Sequence, residues 1–90
     1  MPELTPDDLG EIEARCQRAS PGPWRSMVEG RDHLSGSSFI MTGPPDRRGV
    51  DIELSGATEA DQEFIAHARQ DIPRLIGEIR RLRALLDLRR

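Results

Sequence analysis

The sequence predicts an α+β chain: an N-terminal helix, a three-stranded antiparallel β-meander, and a long C-terminal helix kinked or broken at Pro73. Three observations carry this. Phe64, Ile65, Ala68, Ile72, Leu75, Ile76, Ile79, Leu82 and Leu86 recur at three- and four-residue steps, which lines them along one side of a helix. Val50, Ile52 and Leu54 alternate with Asp51 and Glu53, the period of a strand with one face inward. Between the helical segments, Gly- and Pro-rich stretches divide residues 20–57 into short pieces.

The first helix starts at Thr5-Pro6-Asp7-Asp8, with threonine as cap, proline at the first helical position and two acids in the first turn, and runs to about Ala19. Leu9, Ile12, Cys16 and Ala19 form its narrow apolar stripe. Gly10 weakens it by about 1 kcal/mol relative to Ala, so it depends on docking. Ser20-Pro21-Gly22-Pro23 ends it, and Trp24 to Glu29 then alternates as a half-exposed strand. Ser37 to Thr42 reads as the second strand and Val50 to Leu54 as the third, with loops at 30–36 and 43–49.

The C-terminal region opens with Thr58-Glu59-Ala60-Asp61, a capping threonine followed by acids at the positive end of the helix dipole. Pro73 lacks an N–H and its ring crowds the carbonyl of Arg69, so a kink or a stop is expected there. From Ile72 onward, Ile72, Leu75, Ile79, Leu82 and Leu86 fit heptad positions a, d, a, d, a. Ninety residues allow one domain, 1–90, divided as helix 6–19, meander 24–54 and helical region 58–90. One Trp, two Phe and no Tyr give little bulk for a core, so the apolar side of 64–86 is expected to meet another copy. Ile72, Leu75, Ile76, Ile79, Leu82 and Leu86 are the candidate self-association residues.

The net charge of −3 hides a segregation: residues 1–68 carry thirteen acids and six arginines, residues 69–90 seven arginines and three acids. An acidic body with a basic tail suits copies attracting one another and argues against a dedicated duplex-DNA binder. Every basic side chain other than histidine is Arg, which fits either arginine-rich codon usage or bidentate contacts to anions. The single cysteine, Cys16, excludes an internal disulfide and a cysteine-based zinc site, and is read as core. Met-Pro-Glu-Leu lacks a basic start and an apolar run, and no stretch approaches membrane-spanning length, so a cytoplasmic protein without a membrane partner is expected.

Two blocks, Ala19-Ser20-Pro21-Gly22-Pro23-Trp24 and Asp61 to Ile76 with its Phe64-Ile65-Ala66 and Arg69-Gln70-Asp71-Ile72-Pro73 runs, occur in the same order as in a known group of sequences. In them the chain resembles the Ead-like accessory proteins of temperate phages and of prophages in high-GC bacteria. The resemblance covers about a third of the residues and implies a phage-encoded, dispensable, non-structural protein acting in the bacterial host cytoplasm. It implies no catalytic mechanism.

The chemistry-bearing residues each have a plain reading beside a functional one. Pro21-Gly22-Pro23-Trp24 is either a rigid turn delivering the indole to the core or a stacking platform for a base. His67 lies on the helix flank between Glu63 and Asp71, where a surface ion-pair ladder competes with an oriented general base. His33, in a Gly-rich loop, is far from His67 in sequence, and the two lack metal-ligand spacing. Arg31, Arg47 and Arg48 sit in loops, as solvated charges or as an anion clamp. Arg80, Arg81, Arg83, Arg89 and Arg90 form a basic edge.

No arrangement for catalysis stands out, and no enzyme, metal or cofactor is expected. The favoured function is non-catalytic capture: a homo-oligomer sequestering a small anionic nucleotide-type host signal as a counter-defence sponge. Its ligand residues would be drawn from Trp24, Arg25, Arg31, His33, Phe39, Arg47, Arg48, His67, Arg69 and Asp71. The alternative is a module that engages a host protein through the C-terminal helix or an edge strand. A nucleic-acid modulator using the arginine tail is the least favoured.

Overall fold

The computed structural model describes residues 3–34 and 36–89. Ser35 of the first loop and Arg90 of the basic edge lie outside the described residues, as do Met1 and Pro2. Along the chain come α1 (Pro6–Arg18), β1 (Trp24–Met27), β2 (Phe39–Thr42) and α2 (Glu59–Leu88). They form two compact units: Ser20–Gln70, and the segment up to Ala19 together with the chain from Asp71 onward.

Both helices start as their sequences dictate. At α1 the Thr5 hydroxyl accepts from Asp8 N–H at 3.0 Å and Thr5 N–H donates back to the Asp8 carboxylate at 2.8 Å, a reciprocal capping box. Thr58 and Asp61 repeat it for α2, at 3.0 and 3.1 Å. Asp8 is held below its usual carboxylate range by the Thr5 bonds.

In the Ser20–Gln70 unit, β1 and β2 pair antiparallel, Trp24 opposite Thr42 and Met27 opposite Phe39. Ser26 and Val28 are buried between exposed Arg25 and Glu29, the expected alternation. The third strand is reduced to a single bridge. Ile52 exchanges both main-chain bonds with Ile40, at 2.8 and 2.9 Å, and pairing stops there. Val50 points into solvent instead of inward, and Thr42 uses its hydroxyl to bond Val50 O at 3.1 Å. The loop that brings Ile52 back is tight. Gly43 is at φ 84°, and a Cβ there would lie 2.4 Å from Arg47 O, so glycine is required by both conformation and space.

A polar stripe of α2 docks onto this sheet. Gln62, Ala66 and Gln70, at four-residue steps, face it, and Gln62 and Ala66 are 4% and 1% exposed. Gln62 Nε2 donates to Ser26 Oγ at 2.8 Å and to Phe39 O at 3.1 Å, with Met27 O a longer acceptor at 3.4 Å. Gln70 accepts from Trp24 N–H at 2.9 Å and donates to Trp24 O at 3.0 Å. One side chain thereby supplies the outer edge of β1 with the pair of bonds a further strand would have given. Phe64 and Ile65, on the apolar side of this stretch of the helix, are exposed instead.

In the other unit Leu9 and Ile76 are buried, and α1 is tied to α2 by an ion pair from Arg80 to Glu13 at 2.7 Å. Arg83 donates to Leu4 O at 2.6 Å. Cys16 is half-buried and carries a free thiol.

Of the kink or stop expected at Pro73, the stop does not occur: α2 is one helix through it. The proline deprives Arg69 O of its intrahelical donor, a loss of up to about 3 kcal/mol. Anchors on either side offset it: Arg69 and Gln70 hold the preceding turn to Ser20 and Trp24, and Ile76 and Arg80 fix the following ones.

Candidate functional site

The two blocks that carry the sequence resemblance meet in space. Ser20 O accepts from the Trp24 indole Nε1 and from Arg69 Nε, both at 3.0 Å, while Gln70 clamps the Trp24 main chain. Gly22 backs onto the same turn of α2: a Cβ there would sit 3.6 Å from Arg69 Cγ. Trp24 is half-buried and its polar edge is already occupied, so the Pro-Gly-Pro-Trp turn serves as a seat for α2. Arg69 is likewise engaged within the chain.

Arg31, proposed as an anion clamp, is instead saturated by anions of its own chain. Its Nε and one terminal nitrogen reach Asp32 at 3.0 and 2.8 Å. It bonds Glu59 at 2.8 Å and Glu63 at 2.6 Å, and Ser26 O lies 3.3 Å from the nitrogen shared with Asp32. The carboxylates raise the Arg31 pKa, and the guanidinium in return holds Glu63 and Asp32 below the usual carboxylate range. Asp32 is lowered further by the Val28 N–H, which donates to it at 2.8 Å. This network pins the 28–33 turn to the start of α2.

His67 is exposed and pairs with Glu63 at 3.3 Å, while Asp71 pairs loosely with Arg74 at 3.9 Å. That is the ion-pair ladder of a helix flank. The His33 and Phe39 rings are in contact, with centroids 5.4 Å apart and planes tilted by 40°. Arg25 is exposed on β1, near enough for its charge to help lower Asp32. Arg47 and Arg48 are exposed on the turn closed by Arg47 N–H to Pro44 O at 2.9 Å. The ten residues put forward as ligand contacts thus divide among separate clusters, most of them structural.

The cavities point the same way. An open groove of about 530 Å³ is lined by Leu54, Ala57, Asp61, Phe64 and Ile65, with no arginine. A larger one of about 830 Å³ between the chain start and α2 includes Leu4, Pro6, Ile79, Leu86 and Arg83, the last already bonded to Leu4 O. Among the described residues no group of three or more His, Cys, Asp or Glu is placed to hold a metal ion, and no helix is long and apolar enough to cross a membrane.

What stands open is the apolar side of α2. Phe64, Leu75 and Leu86 are 75%, 61% and 58% exposed, and Ile65, Ile72 and Leu82 are exposed with them. Ile76 must be removed from the self-association set, because it is buried within its own unit, and Ile79 is half-buried. Leu85 and Leu88 join the exposed set. Gln62 and Gln70 were legible only as spacing: two uncharged polar residues eight apart, with a small residue midway. No protein-family model, curated protein or solved structure matches this chain.

Proposed function

We propose that this chain is a non-catalytic, self-associating accessory protein, encoded by a temperate phage or prophage, that acts by capturing a host component. One observation carries the reading. The long helix docks on its own sheet through glutamines and an alanine, and leaves Phe64, Ile65, Ile72, Leu75 and its leucines from 82 onward uncovered. A chain that spends polar contacts inward and keeps apolar ones outward is arranged to assemble.

The captured molecule, in this reading, is a small anionic nucleotide held between copies. The intrachain engagement of Arg31 and Arg69 narrows its contacts to Arg25, Arg47 and Arg48 for phosphate, with the His33–Phe39 pair as the aromatic element. Isothermal titration of cyclic and ADP-ribose-type nucleotides into folded protein tests this. Saturable heat that disappears in an Arg47→Ala, Arg48→Ala double variant is expected. Absence of heat from every nucleotide removes the sponge.

A second reading, capture of a host protein, is favoured by the arginine-free groove at Leu54, Ala57, Phe64 and Ile65, whose chemistry suits an apolar side chain better than a phosphate. Phe64→Ser would then abolish retention of that protein and leave nucleotide titrations unchanged.

A further inference from the structure

Resting on the self-association reading, we infer that the partner on residues 72–86 of α2 is a second copy of the same helix running parallel to it. The heptad places Ile72, Leu75, Ile79, Leu82 and Leu86 at a, d, a, d, a. The flanking positions then follow. Asp71, Glu78 and Leu85 fall at g; Ile76 and Arg83 fall at e.

These flanks differ in chemistry, and the structure shows why. The e side is shared with α1, where Ile76 is buried and half-buried Arg83 reaches Leu4 O. Acids occupy the g side, with Asp71 and Glu78 both half-exposed or more. In a parallel pair a g residue faces the e residue five positions on in the other chain, so Glu78 meets the second copy's Arg83 twice, once on each side of the seam. Arg83 uses only one terminal nitrogen on Leu4 O and keeps further N–H groups for that carboxylate. Glu78, already bonded to Arg81 at 2.5 and 3.1 Å, has lone pairs left to accept.

An antiparallel pair sets g against g and e against e. Asp71, Glu78 and Leu85 would then face one another and Arg83 would face Ile76 or Arg83, with no opposite-charge pair anywhere along 71–86. The helix is already formed in each copy, so association over about two heptads does not bear the cost of nucleating it.

Disulfide trapping of the full chain in a Cys16→Ala background tests the orientation. A Leu82→Cys variant oxidised alone is expected to double in mass on a non-reducing gel, since identical residues face each other only in the parallel pair. An equimolar mixture of Ile72→Cys and Leu82→Cys chains, each carrying a different mass tag, is expected to give no mixed species, because the sites are about 15 Å apart along parallel helices. Glu78→Arg should weaken assembly, and mixing it with Arg83→Glu should restore it as a heterodimer. Mixed Ile72–Leu82 disulfides with no Leu82 homodimer would overturn the parallel orientation and leave self-association standing. A chain that sediments as a folded monomer would overturn both.

Discussion

Gln70 is where one side chain most directly decides the fold. Its amide satisfies both main-chain groups of Trp24 that face α2. Gln70→Ala is expected to lower stability by about 1–3 kcal/mol, the cost of leaving a half-buried N–H and C=O unpaired. Urea unfolding followed by Trp24 fluorescence measures it, and a change within error would show that water replaces the amide freely. The Arg31 network gives a second prediction, with a definite sign. Glu63 and Asp32 have folded pKa values below their ordinary 4.5 and 3.8. Their contribution is therefore complete above those values and is lost as pH falls through the depressed ones. Stability from this network should hold from neutrality down to the ordinary 4.5 and drop as the pH falls further, and the drop should be smaller in Arg31→Met. An identical pH dependence in the variant would mean that the carboxylates are not coupled to Arg31.

The elements show which sequence signals are strong and which weak. Helix starts at Thr5 and Thr58 were plain in the sequence because capping depends on neighbours three residues apart, and the Trp24–Glu29 alternation was plain because burial of Ser26 and Val28 follows from period two. The third strand was over-read. Val50-Asp51-Ile52-Glu53-Leu54 has the pattern of a strand, but the Gly43–Gly49 loop brings only Ile52 into register with Ile40. The docking face of α2 could not be read from the apolar pattern. Hydrophobic periodicity reports that a helix has an apolar side, and it is silent on whether that side is covered by the same chain. The Arg31 network was not legible, because Ser26 on β1 and Glu59 and Glu63 on α2 are brought to it only by folding. At Pro73 the local penalty was recognised while the anchors flanking it were not. Pro73→Ala, which returns a donor to Arg69 O at an exposed position, should raise stability by about 1–3 kcal/mol in thermal or urea unfolding. A loss of stability would show that α2 needs the proline's geometry.

At the scale of the whole molecule, the exposed leucines and the charge of the tail act in opposite directions. Residues 69–90 carry seven arginines and three acids, so the parallel pair sets two net-positive segments side by side, and the Glu78–Arg83 pairs offset part of that repulsion. Apolar side chains from Ile72 to Leu86 give the contact in this account. Capture of a nucleotide between copies follows from assembly in this account, whereas capture of a protein has its own basis in the groove at Leu54, Ala57, Phe64 and Ile65. Sedimentation equilibrium over a range of concentrations therefore tests the central claim most directly, with Leu75→Asp, Leu82→Asp as the control. The wild-type chain should sediment at a multiple of 10.1 kDa, and the doubly substituted chain, with unchanged circular dichroism, at 10.1 kDa. A folded wild-type chain that stays at 10.1 kDa at every concentration would contradict it.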